Sequence, residues 1–120
     1  MHVRVIKVSK ASFGSYVTAV VDASGKTRPV APRILSGDPA RFDRICRDLM
    51  PAKLAYDSFV LSFSESHSIV ASAVVPDALK EFEGWLFAGV SQHEFARCSV
   101  LHERQRGFDI HYAVARANLR

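Results

Sequence analysis

Strand-like stretches of apolar and β-branched residues take turns with stretches of helical spacing along the chain. Val3, Val5 and Val8, with Ile6 among them and Arg4 and Lys7 as polar partners, predict a short N-terminal strand. From Ser12 the period changes. Phe13, Tyr16, Val17 and Val20 fall on one helical stripe, Ser12 is placed to cap it, and Gly25 marks a reversal after Asp22-Ala-Ser. This helix is short and weakened by its β-branched residues. Thr27-Arg-Pro-Val-Ala-Pro-Arg-Ile-Leu carries two prolines, which restrict it to an edge strand or an extended connection with Arg28 and Arg33 exposed. Ser36-Gly-Asp-Pro opens a second helix, with Asp38 as cap and Pro39 at the first helical position. Phe42, Ile45, Cys46 and Leu49 form its buried stripe, and Arg41, Arg44 and Arg47 its wet side. Tyr56 to Phe63, rich in aromatic and β-branched residues, reads as a central strand. After a loop-like stretch containing an unpartnered His67, a third helix is expected from Pro76 to Ala88, burying Leu79, Phe82, Leu86 and also Trp85, and stopped by Gly89.

From Phe95 onward the pattern is that of a hairpin. Apolar stretches flank Arg104-Gln-Arg-Gly107, and Gly107 supplies the positive φ that a tight reversal asks for. With that loop, Glu103 stands opposite Phe108 and His102 opposite Asp109. Strand side chains alternate between faces, so His111 shares a face with Asp109, and opposed Cβ atoms lie roughly 5 Å apart. Ala113, Ala115 and Ala117 continue this low face, while Phe108, Ile110, Tyr112 and Val114 form the packing face. Two imidazoles and a carboxylate suit a divalent cation and leave coordination positions open. A surface hairpin on which two histidines and an aspartate coincide has the same spacing, because a register slip of one residue would move one strand's set to the other face.

The order strand, helix, strand, helix, strand, helix, strand, strand, with no repeat and no linker, predicts a single α+β domain over residues 1–120. Its sheet is expected to be largely antiparallel, with about five strands and two to three helices. The last strand has no element after it, so the expectation is a chain truncated at its C-terminus. A hydrophobic fraction of 48% and a charged fraction of 23% are those of a soluble globular protein. The net charge of +4, with arginine in excess of lysine, leans toward an anionic partner. No apolar run is long enough for a membrane span or a signal peptide, so a cytoplasmic location without membrane partners is expected. Cys46 and Cys98 are too few for a disulfide framework and read as buried thiols.

Four stretches in this order, Asp22-Ala-Ser-Gly-Lys-Thr, Tyr56 to Phe63, the helix end at Ala88-Gly89, and the His102 to His111 hairpin, resemble the plasmid mobilisation relaxases of the HUH endonuclease superfamily. The resemblance runs from about Ser12 to the end. It implies a metal triad on two adjacent central strands and a tyrosine that attacks a DNA phosphodiester. His102 matches the family's first histidine, and Asp109-Ile110-His111 its paired His-x-His, with Asp109 in place of a histidine. Mg²⁺ or Mn²⁺ is the implied cofactor. Glu103 matches an acidic residue that orients a ligand or helps deprotonate the nucleophile, though a hairpin-end charge paired with Arg104 or Arg106 fits it equally.

The departure lies at the nucleophile. The family's tyrosine falls three residues before the aspartate matched by Asp22, and this chain has Ala19 there. Tyr16, one turn earlier, is the fallback; Tyr56 reads as a core tyrosine and Tyr112 points to the packing face. The resemblance implies binding of single-stranded or hairpin DNA at an origin of transfer, nicking by transesterification in intact members, and accessory mobilisation proteins as further partners. Arg4, Lys7, Arg28, Arg33, Arg104 and Arg106 are the candidate DNA contacts. With Ala19 the chain as written is expected not to cleave. A catalytically inactive DNA-binding module on the same fold is the alternative. A small-molecule metalloenzyme using the two-His, one-carboxylate set is a further one, less suited to so many exposed arginines.

Overall fold

The computed structural model describes residues 2–6, 13–19, 24–28, 30–49, 56–64, 68–89, 95–104 and 107–118; the side chains at 49, 68–74 and 116–118 are not described. The elements are β1 (His2–Ile6), α1 (Phe13–Thr18), β2 (Arg33–Ser36), α2 (Pro39–Leu49), β3 (Tyr56–Phe63), α3 (Ser68–Leu86), β4 (Phe95–Arg104) and β5 (Gly107–Asn118). The fold is α+β. Its five strands form one open antiparallel sheet in the order β1-β3-β5-β4-β2, with the terminal hairpin at its centre.

The hairpin register follows from the turn. Arg104 pairs with Gly107, Glu103 with Phe108 and His102 with Asp109. Gly107 has φ 113°, and a Cβ there would run into the Phe63 carbonyl, so a side chain is excluded on two counts. β5 has a strand on each side and helices over both faces, which explains its long apolar run.

α3 packs on one face. Val75, Ala78 and Phe82 meet Phe59, Leu61, Phe63, Leu101, Phe108, Ile110, Tyr112 and Val114. Phe82 sets its ring edge-on to Phe59 and Tyr112, at 5.3 and 5.1 Å between centroids, so Phe82→Ala would cost about 3–5 kcal/mol. Beneath them Tyr112 donates to Glu83 Oε2 at 2.6 Å, and Arg97 Nη1 holds the same oxygen at 2.5 Å. Burial and this carboxylate push the Tyr112 hydroxyl well above its usual range.

The helix differs from its sequence reading in two ways. It begins at Ser68, not Pro76, and runs through the proline. A missing N–H costs one intrahelical bond, but Val75 just before the proline and Ala78 just after it are buried in the core. Trp85 is 68% exposed, because Ala78, Leu79, Phe82 and Leu86 complete the buried stripe without it.

α1 and α2 cover the opposite face. Phe13, Val17, Phe42, Cys46 and Tyr56 pack on Cys98, Val100, Ala113 and Ala115. The alanines therefore lie under two helices, where their small size lets the helix backbones come close, and this face packs as the other does. Burial raises both thiols, Cys46 to about 11 and Cys98 to about 12, with Asp43 adding to each, so both stay protonated at neutral pH.

α2 starts as its sequence reads. Asp38 Oδ1 accepts from the Ala40 and Arg41 amides at 3.0 and 3.3 Å, and Arg41, Arg44 and Arg47 face solvent. α1 is capped from a distance. Asp43 of α2 accepts from the Gly14 amide at 2.8 Å and the Ser15 amide at 3.0 Å. Gly14 is required at this crossing, since a Cβ would collide with the Pro39 carbonyl. Ser12, the cap expected from sequence, lies outside the described residues, as do His67, Lys7 and Arg106. Among the described residues no helix is long and apolar enough to cross a membrane.

Candidate functional site

The strand register gathers the expected ligands. His102 stands directly opposite Asp109, and His111 is two residues further along β5 on the same face. The His102 and His111 rings lie 4.2 Å apart between centroids. At this end of the sheet α1 stops at Thr18, so the helix covers the alanines and ends beside the histidines.

The end of α1 makes two contacts with the pair. His102 Nε2 donates to the Val17 carbonyl at 2.6 Å, one of the carbonyls that a helix C-terminus leaves unsatisfied. This fixes the tautomer with the lone pair on Nδ1. Tyr16 sets its ring edge-on to His111 at 6.4 Å and is 47% exposed, so the side chain borders both the histidine and solvent.

Electrostatics keep both imidazoles neutral. Burial lowers His102, with Arg28 adding to the effect against the Val17 bond and Asp109. His111 is lowered to about 4 by burial, by His102 and by the Arg28 and Arg4 charges, against the pull of Asp109. Neutral imidazoles have a nitrogen lone pair available at pH 7.

Asp109 is half committed. Its Oδ2 pairs with Arg104 Nε at 3.0 Å, whereas its Oδ1 is buried and has no hydrogen-bond partner among the described residues. A buried carboxylate oxygen left unpaired costs more than the roughly 1–3 kcal/mol of a neutral group. Two neutral imidazoles and this free oxygen are the donor chemistry of a divalent-cation site. As they stand, no three histidine, cysteine, aspartate or glutamate side chains among the described residues converge on one point. The backbone register puts the three on one face.

The remaining candidates divide. Arg4 pairs with Val60, which pairs with His111, so it lies on the histidine face two strands away. Arg28 donates from Nε to the Ala19 carbonyl at 3.1 Å, and its charge bears on both histidines. Ala19 follows the last residue of α1 and presents its carbonyl to Arg28. Glu103 stands opposite Phe108 on the α3 face, so the structure does not bring it to the histidines. Arg33 is opposite Leu101, also on the α3 face and on an edge strand. Tyr112 is on that face too, as its place in the alternation implies.

One residue of this row was not apparent from sequence. His2 pairs with Ser62, which pairs with Asp109, which pairs with His102, so a cross-strand row carries a third, exposed histidine at the edge. Only the strand order reveals it. Comparison with known proteins adds no relative: no family model, no curated protein and no solved structure matches the chain.

Proposed function

We propose that this chain is a relaxase-like domain on the plan of the HUH endonucleases, binding single-stranded or hairpin DNA at an origin of transfer and nicking one strand with Tyr16 as nucleophile. The observation that carries the reading is the half-exposed Tyr16 ring beside His111, on the face that also presents His102 and Asp109. His102, His111 and Asp109 would hold Mg²⁺ or Mn²⁺, which supplies polarisation of the scissile phosphate when bound. Arg4 and Arg28 add positive charge on the strand's path across this face. Tyr16 would pass its hydroxyl proton to solvent, its Oη would form the bond to phosphorus as the bond to the 3′ oxygen of the preceding nucleotide breaks, and that oxygen would leave and take up a proton from solvent. The product is a 5′-phosphotyrosyl link and a free 3′ hydroxyl.

Tyr16 replaces Ala19 in this assignment because position 19 lies past the end of the helix and contributes only its carbonyl, to Arg28. A second reading, a binding module without cleavage, is favoured by that same alanine. The two are separated by incubating the protein and Mn²⁺ with end-labelled single-stranded oligonucleotides of randomised sequence and looking for a denaturant-resistant adduct. An adduct formed by the wild type and lost in Tyr16→Phe supports nicking. Binding without an adduct supports the module, and an adduct retained by Tyr16→Phe excludes Tyr16.

A further inference from the structure

Arg104 stands among the candidate DNA contacts, but two of its bonds are made within the sheet. Its Nε pairs with Asp109 Oδ2 at 3.0 Å and its Nη2 donates to the Phe63 carbonyl at 3.1 Å. Phe63 belongs to β3 and pairs with Phe108, so one guanidinium spans β4, β5 and β3 at the hairpin end. Two hydrogen bonds in different directions fix its plane, and thereby the carboxylate plane of Asp109. Gly107 belongs to the same device. Its absent Cβ would lie 3.2 Å from Arg104 Nη2 and against the Phe63 carbonyl, so glycine leaves room for this bond.

The consequence concerns the other carboxylate oxygen. With Oδ2 taken by Arg104, Oδ1 is left buried on the histidine face, without a hydrogen-bond partner among the described residues. We infer that Arg104 is a positioning residue for cation binding, holding Asp109 so that one oxygen stays free to serve as a ligand beside His102 and His111. This rests on the metal reading given above and deepens it. Arg104 touches neither the cation nor DNA in this role.

The sign of one measurement decides it. A guanidinium near a divalent cation repels it, so electrostatics alone predicts tighter Mn²⁺ binding once Arg104 is removed. Positioning predicts the reverse, because losing a group that orients a ligand weakens metal affinity by roughly 10- to 100-fold. Mn²⁺ titration calorimetry on wild type, Arg104→Ala, Arg104→Gln and Asp109→Ala is the test, with thermal unfolding as the control for folding. Arg104→Ala is expected to fall in that range. Arg104→Gln, which keeps a side-chain donor without the charge, should lie between it and wild type, and it also carries the test should the alanine variant fail to fold. Asp109→Ala should be the weakest. Salt dependence of metal-free binding to a single-stranded oligonucleotide should be the same in wild type and Arg104→Ala. Affinity in Arg104→Ala equal to or above wild type, or a shallower salt slope, overturns the positioning role while leaving the metal reading intact. Absence of Mn²⁺ binding by the wild type overturns both.

Discussion

Replacing Asp43 should loosen the helix that carries Tyr16. α1 has six residues, far below the roughly 12–15 at which an isolated helix becomes marginal in water, so it depends on its contacts. Its first turn is held by one carboxylate on another helix: Asp43 accepts from the Gly14 and Ser15 amides at 2.8 and 3.0 Å and from the Ser15 hydroxyl at 3.3 Å. Loss of a capping side chain costs about 1 kcal/mol, and loss of a negative charge at a helix N-terminus adds up to about 1 more, so Asp43→Ala should cost about 2 kcal/mol. Asp43→Asn keeps one acceptor oxygen without the charge and should cost about half of that. The damage should be local before it is global. Amide hydrogen exchange at Gly14 and Ser15 should speed up while the β4–β5 ladder stays protected, and urea unfolding should register the smaller global loss. Because the Val17 carbonyl holds His102, a loosened α1 also releases that ring. Asp43→Ala within about 0.5 kcal/mol of wild type, with α1 still protected, would refute the capping argument.

Acid should destabilise the metal-free protein through His111. Its folded value of about 4 lies below the ordinary 6.5, so the unfolded chain takes up the proton first: stability is full above about pH 6.5 and is lost as pH falls toward 4, by up to about 3 kcal/mol. Urea unfolding in chelator between pH 7.5 and 4.5 should show a steeper loss for wild type than for His111→Asn, and parallel curves would contradict it. Tyr112→Phe should cost about 1.5–3 kcal/mol by removing a hydrogen bond to a carboxylate. Glu83→Ala should cost more, since it strands a buried hydroxyl and the Arg97 charge together; the reverse ranking by thermal unfolding would place the stability elsewhere.

What the sequence made legible was local. The turn at Gly107 fixed the hairpin register, and register fixed which residues share a face, so the placement of His102, Asp109 and His111 on one face could be anticipated. What lies on that face could not. The alternation marked Ala113 and Ala115 as one side of β5, but two helices packed there leave the same alternation as open space would. Pro76 reads as a helix start because proline suits a first turn, and nothing local reveals that packing carries the helix through it. The cap of α1 comes from Asp43, and the row that places His2 beyond Ser62 depends on β1 pairing with β3. Both are pairings between residues distant in sequence, which periodicity does not encode. Arg104 looked like a phosphate contact because a hairpin loop is exposed, yet its bonds to Asp109 and Phe63 turn it inward.

The most direct test of the account is where a divalent ion sits. Crystals grown with Mn²⁺ and measured near the manganese absorption edge should give an anomalous peak within bonding distance of Asp109 Oδ1 and of a ring nitrogen of both His102 and His111, with the Tyr16 hydroxyl facing the ion's open side. A peak bound by other residues, or no peak on this face at saturating Mn²⁺, would contradict the account.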